Sequence, residues 1–355
     1  MGGPPQLFDL TGRGAILLMG KDRASFLHGL VTNDVKVLTP GEGCAAAFLT
    51  PKGKLLADCV VLCEKDRLEI DCEPELAEKI EELLRKYLVF NEVEIGNLTS
   101  GTAVFHLQHS ATGDAVEELL RKVIGRETPD AGAGGAWPQQ AHAHFAARLA
   151  AAESSFTFKE NPPSPATSHS TGDEQGVTVR VVRENRTGVP GYDVRCPPSL
   201  SERIRKAVLS AGARQASDAE RETLRIQAGI PRWGFELTEA VLPDEAGLRE
   251  RGFISDTKGC YIGQETVARI KTYGHVNRTL VRLQVEGDAS AIGTEIFFDG
   301  ERAGAVTSVA REAGSGRATA LGYVKREWAA PGTALLLRAP GGESRATVAA
   351  TPFRV

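Results

Sequence analysis

The sequence predicts an α+β protein whose last part is a small β-barrel. Two observations carry that prediction. Strand-like and helix-like stretches alternate through about the first 230 residues, and beyond Asn277 the pattern becomes short, Gly-punctuated apolar alternation. A third observation divides the chain. Residues 128–176 are rich in Ala, Gly, Pro and Ser and lack apolar periodicity, so they read as a low-complexity insertion or linker.

In order along the chain, Gly14–Met19 is an apolar run of strand length. Asp22 then stands where a cap would open a short amphipathic helix ending near Leu30. Residues 44–49 and 54–62 flank Pro51-Lys52-Gly53, a turn sequence, and form a hairpin. Residues 75–87 carry Leu76, Ile80, Leu83, Leu84 and Tyr87 at helical spacing, with Pro74 at the start, and give the clearest early helix. Inside the low-complexity segment only 142–152 reads as a helix. Residues 176–182 and 192–194 then read as strands, and 199–211 and 219–227 as helices. The segments 280–285, 295–298, 303–306, 320–324, 334–337 and 346–348 are the six barrel strands.

A length of 355 residues suits two or three domains at roughly 100–200 residues each. The 42 Lys and Arg against 46 Asp and Glu leave a net charge of −4, and a near-neutral chain has no global basic field for a phosphate backbone. Direct nucleic-acid binding is therefore not expected. No apolar run approaches the ~20 residues of a membrane helix. The amino-terminal residues 1–9 carry neither a secretory pattern nor a Ser or Thr at position 6 for myristoylation, so a cytoplasmic protein is expected. The six cysteines include no CxxC pair and make no disulfide framework. Cys59 and Cys63 share one face of a strand, but no second ligand pair accompanies them, and no metal site is expected.

Chemistry is densest at residues 255–271. Cys260 precedes a helix that begins at Gln264 and carries Val267 and Ile270 on one face, and Lys258 is two residues away. A cation and a helix amino terminus both favour thiolate, which makes Cys260 a candidate nucleophile or redox group. The other reading is that Gly259 and Gly263 serve a tight turn and Cys260 fills a small pocket. Residues 266–285 contain Arg269, Lys271, His275, Arg278 and Arg282 without an acid. Such a rim would attract a polyglutamate tail or a phosphate, or is a solvated surface. Residues 14–22 imitate a phosphate loop, but the spacing is one residue too long and Asp22 replaces the required Ser or Thr.

Lys258-Gly-Cys-Tyr-Ile-Gly-Gln-Glu265 resembles the signature of the YgfZ family of folate-binding proteins. Residues 26–35 (Phe-Leu-His-Gly-Leu-Val-Thr-Asn-Asp-Val), 50–58, 220–237, 242–245 and 304–308 are similar to that family as well. YgfZ proteins resemble in turn the aminomethyltransferase (T protein) of the glycine cleavage system, a three-domain cloverleaf around a tetrahydrofolate channel with a terminal β-barrel. The resemblance implies that 1–127 and 177–276 are two parts of a folate-binding region and that 277–355 is the barrel.

The resemblance also implies a function and a site. It points to a folate-binding protein that uses tetrahydrofolate and a reactive cysteine in the assembly or repair of iron-sulfur clusters. The folate could be polyglutamylated or carry a one-carbon unit. The partners implied are iron-sulfur client enzymes, radical tRNA-modifying enzymes among them, and each cluster belongs to its client. If the chain is itself an enzyme, the alternative is a tetrahydrofolate-dependent aminomethyl or one-carbon transferase. Lys258 would hold Cys260 reactive. Asp58 stands in Gly53-Lys-Leu-Leu-Ala57-Asp58, which resembles the catalytic Gly-Gly-x-x-Asp-Asp stretch with Ala57 in place of one acid. Asp34, Asp58, Asp193 and Arg225 would line the folate cavity, with Asp193 on the pterin edge and Arg221 and Arg225 near the glutamate carboxylates. Tyr261, Gln264 and Glu265 complete the binding set.

Overall fold

The computed structural model describes residues 3–109, 114–124, 149–152, 179–287, 291–311 and 317–350. In chain order the strands and helices begin with β1 (Gln6–Asp9), β2 (Gly14–Met19), α1 (Arg23–His28), β3 (Glu42–Leu49), β4 (Leu55–Cys63), β5 (Arg67–Cys72), α2 (Ala77–Tyr87), β6 (Glu94–Asn97) and β7 (Ala103–Gln108). There follow α3 (Asp114–Ile124), β8 (Leu149–Ala152), β9 (Arg180–Glu184), β10 (Gly191–Cys196), α4 (Pro198–Ser210), β11 (Arg214–Gln215), α5 (Asp218–Gln227) and α6 (Gln264–Tyr273). The last strands are β12 (Arg278–Glu286), β13 (Glu295–Phe298), β14 (Glu301–Arg311), β15 (Arg317–Lys325), β16 (Ala334–Ala339) and β17 (Gly342–Val348).

Eleven strands form one sheet in the order β11-β1-β7-β10-β9-β8-β3-β4-β5-β2-β6, and the last six close the expected barrel as β12-β15-β14-β13-β16-β17. Each half of the long sheet buries one face under helices. Ile16, Phe48, Val61 and Ile70 pack with Leu76, Ile80 and Leu84 of the α2 region. Phe105, Leu107 and Val194 pack with Val116 of α3 and with Ile204 and Val208 of α4. The barrel is filled by Leu283, Ile296, Val306, Leu337 and their neighbours.

The other faces of the two half-sheets are buried and charged. On β5, Leu68, Ile70 and Cys72 enter the first core, so the period of two sends Glu69 and Asp71 to the opposite side. Arg195 of β10 reaches both of those acids, Arg13 pairs with Asp71 at 2.7 Å, and Arg186 joins Asp71 at 3.0 Å. Arg180 of β9 pairs with Glu69 at 2.5 Å. Charges removed from water to this extent are tolerated only when paired, and here the pairing crosses from one half-sheet to the other.

The barrel is fastened to α5. Arg225 donates to Glu236 at 2.8 Å and to Ser308 of β14 at 2.8 Å, while the Tyr323 hydroxyl of β15 donates to the Glu236 carbonyl at 2.9 Å.

Two local expectations need correction. Asp22 makes no side-chain cap on α1, because its carboxylate accepts from the Glu92 backbone N–H at 2.8 Å and ties the helix start to the strand region beyond α2. Of the expected helix 142–152, residues Leu149–Ala152 form β8, which bridges β3 and β9, and the remainder lies outside the described residues. An Ala-rich run has helical propensity, but two flanking strands offer it a ladder.

Candidate functional site

Two sequence motifs far apart in the chain meet at one place. Thr32 donates to the Phe253 carbonyl at 2.6 Å, and Asn33 donates to the carbonyls of Ala45 and Gly252, both at 2.7 Å. The Lys258 ammonium completes the stitching by donating to the carbonyls of His28 at 2.6 Å, Val31 at 2.5 Å and Asn33 at 2.9 Å. An ammonium has three N–H donors, and all three are engaged. Lys258 is therefore a clamp between the 28–33 loop and the 258–265 loop. Burial pushes its pKa down to about 8.

A close approach of backbones sets the height of the 258–265 loop. Gly263, at φ 84°, precedes α6, and a Cβ there would lie 2.5 Å from the Thr50 carbonyl. Gly53, at φ 75° in the β3–β4 turn, faces Thr266 so closely that its Cβ would lie 2.6 Å from the Thr266 Cβ. Only glycine meets both demands, positive φ and absent volume. The turn of the first hairpin thus seats the start of α6.

Cys44, Cys59, Cys63, Cys72 and Cys196 are buried, and Cys260 is exposed. Burial pushes the Cys44 thiol up to about 12, as expected of an inert core cysteine. Beside Cys260, Tyr261, Gln264 and Glu265 line an open groove of about 390 Å³ together with Pro51, Tyr87, Ile262 and Gly263. The Gln264 side chain accepts from the Tyr261 backbone N–H at 3.1 Å, and Tyr261 lies under the Lys258 ammonium at 4.9 Å, a cation–π distance. Asp34 stands on the other side of the clamp, 3.2 Å from His28 Nδ1.

Of the remaining expected residues, Asp58 and Asp193 belong to the charged centre, and Arg221 and Arg225 lie on α5. Asp58 has a buried Oδ1 with no hydrogen-bond partner among the described residues. Burial and then the nearby Glu73 push its pKa up to about 7. Glu184 is buried in the same network and is likewise pushed up to about 7, chiefly by burial and against the pull of Arg186. Asp193 is engaged by Arg186 and by His106 Nδ1 at 2.8 Å. Burial alone would raise its pKa, but those partners outweigh burial and hold it well below the usual carboxylate range. Arg225 is buried and clamped by Glu222, Glu236 and Ser308, so it is not open to a ligand carboxylate. Arg221, its neighbour one turn earlier, pairs with Asp218 and keeps a buried Nε without a partner among the described residues.

Two of the four cations of the basic rim are paired with acids. Lys271 pairs with Asp256 at 2.9 Å, Arg278 pairs with Glu245 at 3.1 Å, and Arg282 donates to the carbonyls of Gln227 and Ala350. Those acids come from outside the basic run, so the run alone could not reveal them.

Sequence reasoning missed His28, Arg13, Glu184 and Arg186. His28 was visible inside the 26–35 motif, but no local pattern links it to Lys258. The alternation Glu69-x-Asp71-x-Glu73 beside apolar Leu68, Ile70 and Cys72 was the available signal that the second face of β5 is buried against cations.

Comparison with known proteins agrees with this architecture. The GCVT N-terminal domain matches residues 5–144, and the glycine cleavage T-protein C-terminal barrel domain matches 278–354. In both regions the chain is similar to this aminomethyltransferase-like family. A chloroplastic protein of Arabidopsis thaliana named as a transferase is 29% identical over 91% of this chain, which spans 66% of that protein. Aminomethyltransferases of Geobacillus kaustophilus and Bacillus subtilis are 27% and 26% identical over 98% of this chain, covering 86% and 87% of theirs. The glycine cleavage aminomethyltransferase T structure from Bartonella henselae superposes with a TM-score of 0.76 at 19% identity, over 99% of this chain and 87% of that one, and so shares the fold.

Proposed function

We propose that this chain is a cytoplasmic tetrahydrofolate-binding protein that works through Cys260 to support the assembly or repair of iron-sulfur clusters in client enzymes, tRNA-modifying enzymes among them. The observation that carries this reading is the exposure of Cys260, alone among six cysteines, on a loop clamped by Lys258. The resemblance of residues 258–265 to the YgfZ signature supports the choice of clients.

The residues present suit the folate. A pterin edge offers adjacent N–H donors and asks for an acceptor such as the unpartnered Asp58 Oδ1, and a glutamate tail asks for a guanidinium such as Arg221 with its unpartnered Nε. Both lie within electrostatic reach of Glu73. Saturable heat on titrating tetrahydrofolate into the protein is expected, and its absence would remove the proposal. A Cys260→Ser variant in a strain lacking the protein should lose iron-sulfur enzyme activity, and full activity would show that the thiol is dispensable.

A second reading has its own support. Asp58, poised near neutral pH in a buried site, suits proton transfer in a tetrahydrofolate-dependent aminomethyl or one-carbon transferase. Bound tetrahydrofolate would supply a nucleophilic N5 there, and Asp58 would hold or release the proton that accompanies transfer. An Asp58→Asn variant with undiminished turnover of an aminomethyl donor would exclude this role.

A further inference from the structure

We propose that the backbone carbonyls of His28, Val31 and Asn33 form a monovalent-cation site, which the Lys258 ammonium fills as a tethered ion and so positions the 258–265 loop. Lys258 is then a positioning residue and not a reactive one. Its role follows from the cage that surrounds it and is independent of the folate and iron-sulfur readings.

Three observations carry the assignment. The first is the ligand set. The carbonyls of His28, Val31 and Asn33 converge on one nitrogen at 2.6, 2.5 and 2.9 Å, and among the described residues the hydrogen bonds of that nitrogen go to backbone carbonyls alone. Neutral carbonyls that replace a hydration shell are the ligands of potassium-type sites, whereas divalent ions take carboxylates. Ammonium and potassium share a charge and are close in size.

The second is that the cage is built without the lysine. The Thr32 N–H donates to the Ala47 carbonyl at 3.0 Å, Val31 bridges to Phe48 of β3, and the Asn33 side chain is held between the Ala45 and Gly252 carbonyls, both at 2.7 Å. From the facing segment, the Ser255 N–H donates to the Thr32 carbonyl at 3.1 Å and the Ile262 N–H to the Gly29 carbonyl at 3.3 Å. Walls fixed by other bonds are preorganised for an ion that carries no tether.

The third is the setting. The site is only partly buried, so an ion from solvent can reach it. The Tyr261 ring closes one side at 4.9 Å from the ammonium, and an aromatic face attracts any small cation. Asp34 is the carboxylate that faces the ammonium, and Lys36 opposes it. That balance suits one positive charge and not two.

The test is chemical rescue in the intact chain. Lys258→Met keeps a stem of similar length and removes the ammonium. Amide hydrogen exchange in 28–33 and 258–265 is followed by mass spectrometry in choline chloride, whose cation is too bulky for the cage, and in ammonium, potassium or magnesium chloride, all at a matched ionic strength of about 0.1 M. In choline the variant should exchange about tenfold faster than wild type in both segments, and ammonium or potassium should bring it back to within about twofold. Wild type should not respond, because its site is filled, and magnesium should not rescue. Lys258→Arg should exchange fast in every salt, since a planar guanidinium spreads its donors over a fork. If Lys258→Met is unfolded in choline, folding restored by ammonium supports the site equally. Lys258→Ala with propylammonium, an ion that brings its own stem, repeats the test. Wild-type exchange rates in choline, no recovery in ammonium, potassium or propylammonium, equal recovery in magnesium, or the same salt response in wild type would overturn the proposal.

Discussion

Asp58 shows how one carboxyl couples stability to pH. Unfolded, an Asp ionises near pH 3.9, and in the fold this one ionises at about 7. The native state therefore binds the extra proton across that window. The stability contributed by the protonated carboxyl is complete below the unfolded value and is lost as pH rises through the folded one. Asn carries no charge at any pH, so the Asp58→Asn chain should match wild type in urea melts at about pH 4 and exceed it by about 4 kcal/mol at about pH 8. Asp71 behaves oppositely. Burial would raise it, but Arg13, Arg195 and Arg186 outweigh burial and hold it well below the usual carboxylate range, so its contribution is lost only in strong acid. Comparing variant with wild type cancels that second effect.

At the scale of elements, the seating of α6 on the first hairpin is sensitive to a single methyl group. Gly263→Ala would force a Cβ into the Thr50 carbonyl at an unfavourable φ. It should cost about 2 kcal/mol in chemical denaturation and displace the loop that carries Cys260, seen as altered labelling of that thiol. Much of this level was legible in the sequence. All six barrel segments, the 44–62 hairpin, α2, α4 and α5 lie where apolar spacing put them, because each has a clear period and its own turn signals. Strands β1, β5, β6 and β7 and helix α3 went unread. β7 is buried at every position and so has no alternation to detect, and β6 has only four residues. In the site, the motif singled out Cys260 and Lys258 as candidates. The actual partners of Lys258, Asp193 and Arg225 were not, since carbonyls and ions contributed by distant segments leave no local pattern.

At the scale of the whole molecule, charge pairs add to apolar contact in joining the parts, since Ile226 of α5 also packs on Ala310 and Leu321 of the barrel. Glu236 is fully buried and accepts from Arg225, Thr307 and Ser308, which links α5 to β14. Removing it as Glu236→Ala leaves the Arg225 guanidinium buried with one partner fewer. The expected cost is about 3 kcal/mol in denaturant melts, with faster amide hydrogen exchange in β14 and β15. Unchanged exchange there would show that the barrel is held by other contacts.

β1 has a consequence for how the chain is made. The strand begins at Gln6 yet pairs with β7 and, in parallel, with Arg214–Gln215 of β11. The strands and helices between Gly14 and Asn97 pair mainly among themselves, so the first core can close while the rest of the chain is still being synthesised. The Gln6–Asp9 segment can pair with β7 once that strand has emerged, but its other edge stays open until residue 215 follows. Until then the strand that carries Leu7 and Phe8 lacks its parallel neighbour, an open edge in a chain still growing.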